Sequence, residues 1–386
     1  MNKRNIWQLA ACCVGTALVT AVGIFTVEGV LLQNLTGSAS ESLRFLRAMH
    51  LVKQNYNGDV DNHTLYDGAI KGMVESVGDP YTVYLNRKDY KQLTEMTDGS
   101  FGGIGIVFGK RGDDYIVISA LPDNPGAAAG IKSGDIITAV DDKETRTMNM
   151  EQVATAIRGK QGTEVTLELK DKEGNLRKVR VVRQEIKTQS VGAEMLPNSK
   201  IGYIRIAVFN ESTASDFAKE YKKLEAAGME ATIVDLRGNP GGLLDTGVGV
   251  ARMLVPKGPI VSVVHKTGAK EEYNSTLEQV KYPLAVLVNH GTASAAEIVS
   301  GAVKDTKAGK LFGVKTFGKG SVQSVYPLDG STAVKVTVAN YYTPSGVSIH
   351  NVGIEPDVVV ELPETAREDV QLLAAEQYLK EQLQKK

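Results

Sequence analysis

Across residues 287–301 an apolar, partly β-branched run stops at Asn289, His290 and Gly291. Small residues follow from Thr292 to Ala296, and Glu297, Ile298 and Val299 then resume at helical spacing. The pattern predicts a strand, a tight turn and a helix. Such a turn lifts one hydroxyl clear of the backbone and aims the first free N–H groups of the helix at whatever that hydroxyl attacks. Ser294 is the hydroxyl so placed. Capping of the helix by Thr292 or Ser294 explains the same residues without any chemistry, so the presence of a base decides between the two. Of the five histidines, His50 and His63 fall in a helical segment and His265 ends a strand without turn chemistry, while His290 and His350 have no evident aspartate to orient them. Lys319, flanked by Gly318 and Gly320, is the other candidate, because lysine serves as the base in Ser–Lys enzymes. Burial disfavours an ammonium and lowers a lysine pKa by up to about 3–5 units. An exposed turn lysine fits the same local sequence.

These residues need elements to hold them. Gly-rich turns at 237–242, 289–294 and 316–321 each fall at a strand end, where α/β folds collect their binding sites. Strands are expected at 201–209, 231–236, 260–264, 283–288 and 334–343. Helices are expected at 213–227, 243–254 and 295–303, and the alternation argues for an α/β core. Residues 364–386 read as a charged amphipathic helix suited to assembly or docking. Upstream, 101–185 changes to short strands and turns: a hairpin of 104–108 with 115–120, a strand at 136–140, and a pair at 165–170 and 177–182, with two short helices between them. The glycines of Phe101–Gly102–Gly103–Ile104–Gly105–Ile106 precede a strand, so they do not form a dinucleotide loop. Outward backbone N–H groups beside an open strand edge suit a peptide's terminal carboxylate. From 41 to about 93 the spacing is helical, with a short buried connection at Tyr81, Val83 and Tyr84, and no chemistry is read there.

A chain of 386 residues suits two or three domains. Charged residues make up 23% and the net charge is -1, so no basic face is implied and nucleic acid is not the expected partner. The two cysteines are adjacent, Cys12 and Cys13, so neither a disulfide framework nor a cysteine-pair zinc site is available. Lys3 and Arg4 precede an uncharged stretch, 6–27, of about 20 residues, enough to span about 30 Å of bilayer. An uncleaved single-pass anchor with an exported remainder is expected, or a secreted chain if cleavage occurs near 38–40.

The motifs N-H-G-T-A-S-A-A-E-I, T-F-G-K-G-S-V-Q and D-L-R-G-N-P-G-G-L-L together resemble the carboxy-terminal processing peptidases, or tail-specific proteases. G-A-I-K-G-M-V-E-S-V-G-D-P-Y and a bacterial PDZ-like unit occur in the same order as in that family. The resemblance implies a multidomain α/β protein: an anchor or signal segment (1–32), a helical domain (38–96), a PDZ domain (97–185), a protease core (186–363) and a helical tail (364–386). It implies Ser294 as nucleophile, Lys319 as general base and Gln323 as the residue orienting the amine. Backbone N–H groups of Ala295 and Gly242, with Gly241 as an alternative, would form the oxyanion hole. Gly103, Ile104, Gly105 and Ile106 would bind the C-terminus of a polypeptide substrate. No metal or cofactor is implied, and a homodimer is. A non-catalytic PDZ scaffold at the extracytoplasmic membrane face is the alternative.

Overall fold

The computed structural model describes residues 30–385 other than 32, 35 and 364, so the expected anchor at 6–27 lies outside the described residues. Among the described residues, no helix is long and apolar enough to cross a membrane. The chain divides into two compact units, one ending at Gly78 and one beginning at Asp79. In the first, helix α1 (Ala39–Asn55) is capped by the Ser38 side chain, which accepts from the Glu41 amide, and α2 (Asn62–Glu75) by Asp61, which accepts from Thr64. The apolar stripe of α1, including Leu43, Leu46, Leu51 and Val52, is exposed.

The second unit opens with β1 (Val83–Leu85), a strand where a plain connection is expected, followed by α3 (Arg87–Asp98) and β2 (Ser100–Gly103). Strands β3 (Ile106–Arg111) and β4 (Asp114–Ala120), the short helix α4 (Pro125–Ala128), β5 (Ile136–Val140), β6 (Lys143–Glu144), α5 (Met150–Ile157), β7 (Glu164–Lys170) and β8 (Leu176–Val182) then build the PDZ-like sheet in the order β3-β4-β5-β7-β8. The first hairpin strand begins at Ile106 rather than 104, because Gly105 turns the chain at φ 69° and Ile104 drops its side chain into the core of this sheet. Strand β9 (Gln184–Lys187) returns antiparallel to β2, so the chain enters and leaves the PDZ unit side by side.

After β10 (Val191–Met195) and β11 (Ile201–Ile206) come α6 (Thr213–Ala226), β12 (Ala231–Asp235), α7 (Leu244–Leu254), β13 (Gly258–His265), β14 (Lys270–Ser275) and β15 (Leu284–Val288). Helix α8 (Ala295–Asp305), β16 (Lys310–Gly313), β17 (Ser321–Pro327), β18 (Ala333–Tyr342), β19 (Val358–Val359) and α9 (Val370–Gln384) complete the chain. The central sheet runs β10-β11-β12-β15-β16-β19 and is parallel from β11 onward. Every residue of β12 and β15 is buried, as expected of strands covered on both faces. Val234 and Val286 pack on the side of α6, α7 and α8, whereas Ile233, Ala285 and Leu287 meet Ala375 and Leu379 of α9. Helix α9 therefore packs one face on its own sheet. A second sheet, β1-β18-β13-β14 with β17 on β18, carries the segment that follows the third Gly-rich turn.

Candidate active site

The three Gly-rich turns follow the C-terminal ends of the neighbouring parallel strands β12, β15 and β16, and hydrogen bonds join them. The Gly238 amide donates to Asn289 Oδ1 (2.8 Å), the Ala293 amide to the Asn239 carbonyl (2.9 Å) and the Phe317 amide to the Thr292 carbonyl (3.0 Å). Thr292 Oγ1 donates to the Leu236 carbonyl at 2.8 Å, which occupies it between turns rather than in capping α8.

Ser294 stands at the N-terminus of α8 with φ 53° and ψ −120°. An ordinary N-cap serine is extended. A non-glycine residue in this region carries roughly 1–3 kcal/mol of strain that the surroundings must hold in place. Much of that holding comes from Glu297, one turn into the helix and fully buried. Its Oε2 accepts from the amides of Ser294 (2.9 Å) and Lys319 (2.8 Å), and its Oε1 from Thr316 Oγ1 (2.6 Å) and the Gly318 amide (2.8 Å). One carboxylate thus fixes the serine turn against the lysine turn. Burial pushes the Glu297 carboxyl above the usual range, while these hydrogen bonds pull it down. The buried Tyr341 hydroxyl adds a second tie, shared between the carbonyls of Lys319 (2.5 Å) and Ser294 (3.0 Å).

The 237–242 turn closes against the serine. A Cβ on Gly241 would come within 2.6 Å of Ser294 Cβ, and one on Gly242 within 2.0 Å of the Phe209 carbonyl oxygen, so only glycine allows this approach. The Gly241 amide is already committed to Asn239 Oδ1 at 2.8 Å. The amides of Gly242 and Ala295 donate to no acceptor among the described residues.

Ser294, Ala295, Gly242, Lys319 and Gln323 all line one cleft of about 570 Å³, with apolar walls from Leu243, Leu244, Ile298, Val322 and Val325. Burial holds the Lys319 amine below the ordinary lysine range; Lys335 pushes it the same way, and the carboxylates of Glu297 and Asp79 oppose. The amine lies 5.1 Å from the centroid of the Tyr81 ring. Gln323 is not joined to it by a hydrogen bond: its amide nitrogen donates to Ser321 Oγ (2.9 Å) and Thr337 Oγ1 (3.3 Å). Ser294 and Lys319 line the same cleft, although among the described residues no hydrogen bond joins their side chains; a neutral amine can accept a hydroxyl proton, and free amides can receive an oxyanion.

In the PDZ unit, Gly103 ends β2 and Ile106 begins β3, the free edge strand of its sheet. The side chain of Ile104 is buried, so only backbone is offered there. The Ile104 and Gly105 carbonyls face inward, accepting from the amides of Gly126 (2.7 Å) and Leu121 (2.8 Å), and the amides of Ile104 and Gly105 donate to no described acceptor. A larger cleft of about 730 Å³, between α3, β2 and residues 159–161, contains none of these residues.

Motif spacing does not single out Glu297, Tyr341 or Tyr81. For Glu297 a signal existed, since a glutamate three residues after a serine at a helix start is the capping-box pattern. Tyr81 ends the motif G-A-I-K-G-M-V-E-S-V-G-D-P-Y, to which the sequence attaches no chemistry, and for Tyr341 the chain offered no signal.

Residues 200–360 match peptidase family S41, residues 30–89 the N-terminal domain of the activating protease CtpB, and residues 116–171 the PDZ domain. The chain is 36% identical over 371 residues to the carboxy-terminal processing protease CtpA of Bacillus subtilis (strain 168), spanning 95% of this chain and 79% of that protein. It is 34% identical over 324 residues to CtpB of the same organism, spanning 82% and 67%. Among solved structures, a putative S41 protease from Bacteroides fragilis NCTC 9343 shares the fold, with a TM-score of 0.52 at 17% identity over 86% of this chain and 96% of that one. The matches define a serine-type peptidase that carries a PDZ domain. The chain belongs to the carboxy-terminal processing peptidases, and the non-catalytic scaffold alternative falls away.

Proposed function

We propose that this chain is an endopeptidase in which Ser294 attacks a peptide carbonyl while neutral Lys319 takes its proton. The amides of Gly242 and Ala295 stabilise the oxyanion, and Lys319 then returns the proton to the leaving amine. Water repeats the cycle on the acyl-enzyme. Gln323 steadies the amine once it turns from the Tyr81 ring toward Ser294. The PDZ loop at Gly103, Ile104, Gly105 and Ile106 captures apolar C-termini of exported polypeptides by strand addition along β3. The uncharged stretch 6–27 holds the chain at the extracytoplasmic face of the cell membrane, and the exposed apolar stripe of α1 suits a homodimer.

The observation that carries this reading is the positive-φ backbone of Ser294 in one cleft with two free amides and a desolvated lysine. The test incubates the full chain, its Ser294→Ala variant and its Lys319→Ala variant with an unfolded protein ending in apolar residues. Wild type is expected to cleave, faster as pH rises and Lys319 loses its proton, and both variants are expected to be inactive while folded. Retained turnover in Lys319→Ala would remove the lysine from the role of base.

A further inference from the structure

The turn from Asp79 to Thr82 lies some 240 residues before Lys319 in sequence and has no catalytic motif of its own, yet it packs on the lysine amine. The half-buried Tyr81 ring covers Lys319 Nζ, 5.1 Å from the centroid, and meets the His350 ring edge-on with centroids 6.2 Å apart. His350 in turn backs the lysine turn, since a Cβ on Gly320 would sit 2.6 Å from the His350 amide nitrogen. The Asp79 carboxylate holds the turn by accepting from the Tyr81 amide (3.2 Å) and Thr82 Oγ1 (2.6 Å). Buried Thr82 accepts from the Thr337 amide at 3.1 Å, and β1 then pairs along Ala333, Val334 and Lys335 of β18. The ring is therefore pinned by the same strand that carries Tyr341.

We propose that Tyr81 is a positioning residue for Lys319, its ring keeping water from the amine and the 79–82 turn forming part of the active site. This role rests on Lys319 acting as the base. Two effects of the ring have opposite signs: its π face attracts an ammonium, and its bulk denies that ammonium water. Burial is the largest influence on this amine, and with the ring over it at 5.1 Å we assign the ring's larger effect to exclusion of water. The other charged or titratable groups around the amine are Lys335 and Tyr341 from β18, Glu297 from α8, Asp79 from the turn and His350 beyond β18. Changing the ring removes none of these groups, but truncating it to alanine strips the edge contact from His350.

Titration of Lys319 is followed by NMR in chains labelled with 13C-lysine and carrying Ser294→Ala, its signal assigned by its loss in Lys319→Arg. The pH dependence of kcat/KM is measured in parallel with Ser294 intact. Tyr81→Phe should match wild type. Tyr81→Ala should raise the Lys319 pKa and carry the acid limb of the rate upward with it, each unit costing about tenfold in rate below both limbs and nothing above them. Tyr81→Leu, which is apolar without a π face, should stay close to wild type and guards against a poorly folded alanine variant. An unshifted Lys319 titration in folded Tyr81→Ala, or an equal loss at every pH, would overturn this role and leave the base assignment standing. A leucine variant that behaves like alanine would overturn the exclusion of water as its cause. A Lys319 titration that moves while the rate limb stays fixed would overturn the base assignment and this role together.

Discussion

Glu297 gives the residue scale its sharpest test. Its two oxygens take four donors, three from the lysine turn (Thr316, Gly318 and Lys319) and one from the serine itself. A glutamine in its place presents an NH2 group to donors whichever way it is flipped, so one of the two pairs must break. Glu297→Gln should lower kcat by about a hundredfold, the order expected when a reacting group is displaced by about 1 Å. The same change removes a negative charge that raises the Lys319 pKa. With that charge gone the lysine loses its proton at lower pH, and the acid limb of kcat should move down while the plateau falls. A pH profile of kcat checks both signs together, and a limb that moves up would refute the charge argument. The turns that bring Ser294 and Lys319 into one cleft were legible in sequence because glycines and small residues mark where a backbone must come close. Tyr81 was not, because its contact with Lys319 exists only once β1 has paired with β18.

At the scale of elements, α9 shows what periodicity leaves open. A helix with one apolar stripe fits a partner or its own sheet equally well; here Ala375 and Leu379 are fully buried against β12, β15 and β16. Its N-cap residue Asp369 makes two hydrogen bonds with Arg237, at 2.8 Å and 2.7 Å, and the same guanidinium binds Asp235 and Gln371. Arg237 opens the turn that ends at Gly242, so the C-terminal helix braces one wall of the cleft from outside it. Asp369→Ala should destabilise the chain by about 1.5–3 kcal/mol, the range for hydrogen bonds to charged groups. It should also lower kcat more than it raises KM, because the helix braces the turn of Gly242 and none of its residues lines the cleft. Thermal melting beside steady-state kinetics separates the two effects. Although burial pulls Asp369 upward, the Arg237 hydrogen bonds hold its carboxyl below the ordinary aspartate range. Its contribution is therefore complete above the unfolded-state pKa and is lost as pH falls through the lower folded one, so wild type and variant should converge in acid. Strands β16 and β17 were not anticipated either: β16 has four residues and β17 mixes polar with apolar side chains on a half-covered sheet, so neither shows a clean period of two.

At the scale of the whole molecule, the order of parts was readable because each changes the hydrophobic period: helical, then short strands, then alternating strand and helix. Under the proposed function, capture and cleavage belong to different parts of one chain. The PDZ loop offers free amides at Ile104 and Gly105 beside the open edge of β3, whereas the cleft at Ser294 contains none of the loop residues. If the loop binds a terminal carboxylate, a substrate whose C-terminus is amidated loses a charge-assisted hydrogen bond there and nothing at Ser294. Two peptides identical except for that terminus should share kcat and differ in KM, the amide being weaker by about tenfold, which is 1.4 kcal/mol of binding. Gly105→Ala should abolish the difference, because a Cβ there would meet Asn124 Cβ at 2.3 Å and the φ of 69° disfavours any side chain, so the loop cannot keep its shape. Steady-state kinetics on the peptide pair decides the matter: equal KM values would place recognition elsewhere, and a difference confined to kcat would mean that the carboxylate acts on the catalytic step instead of on capture.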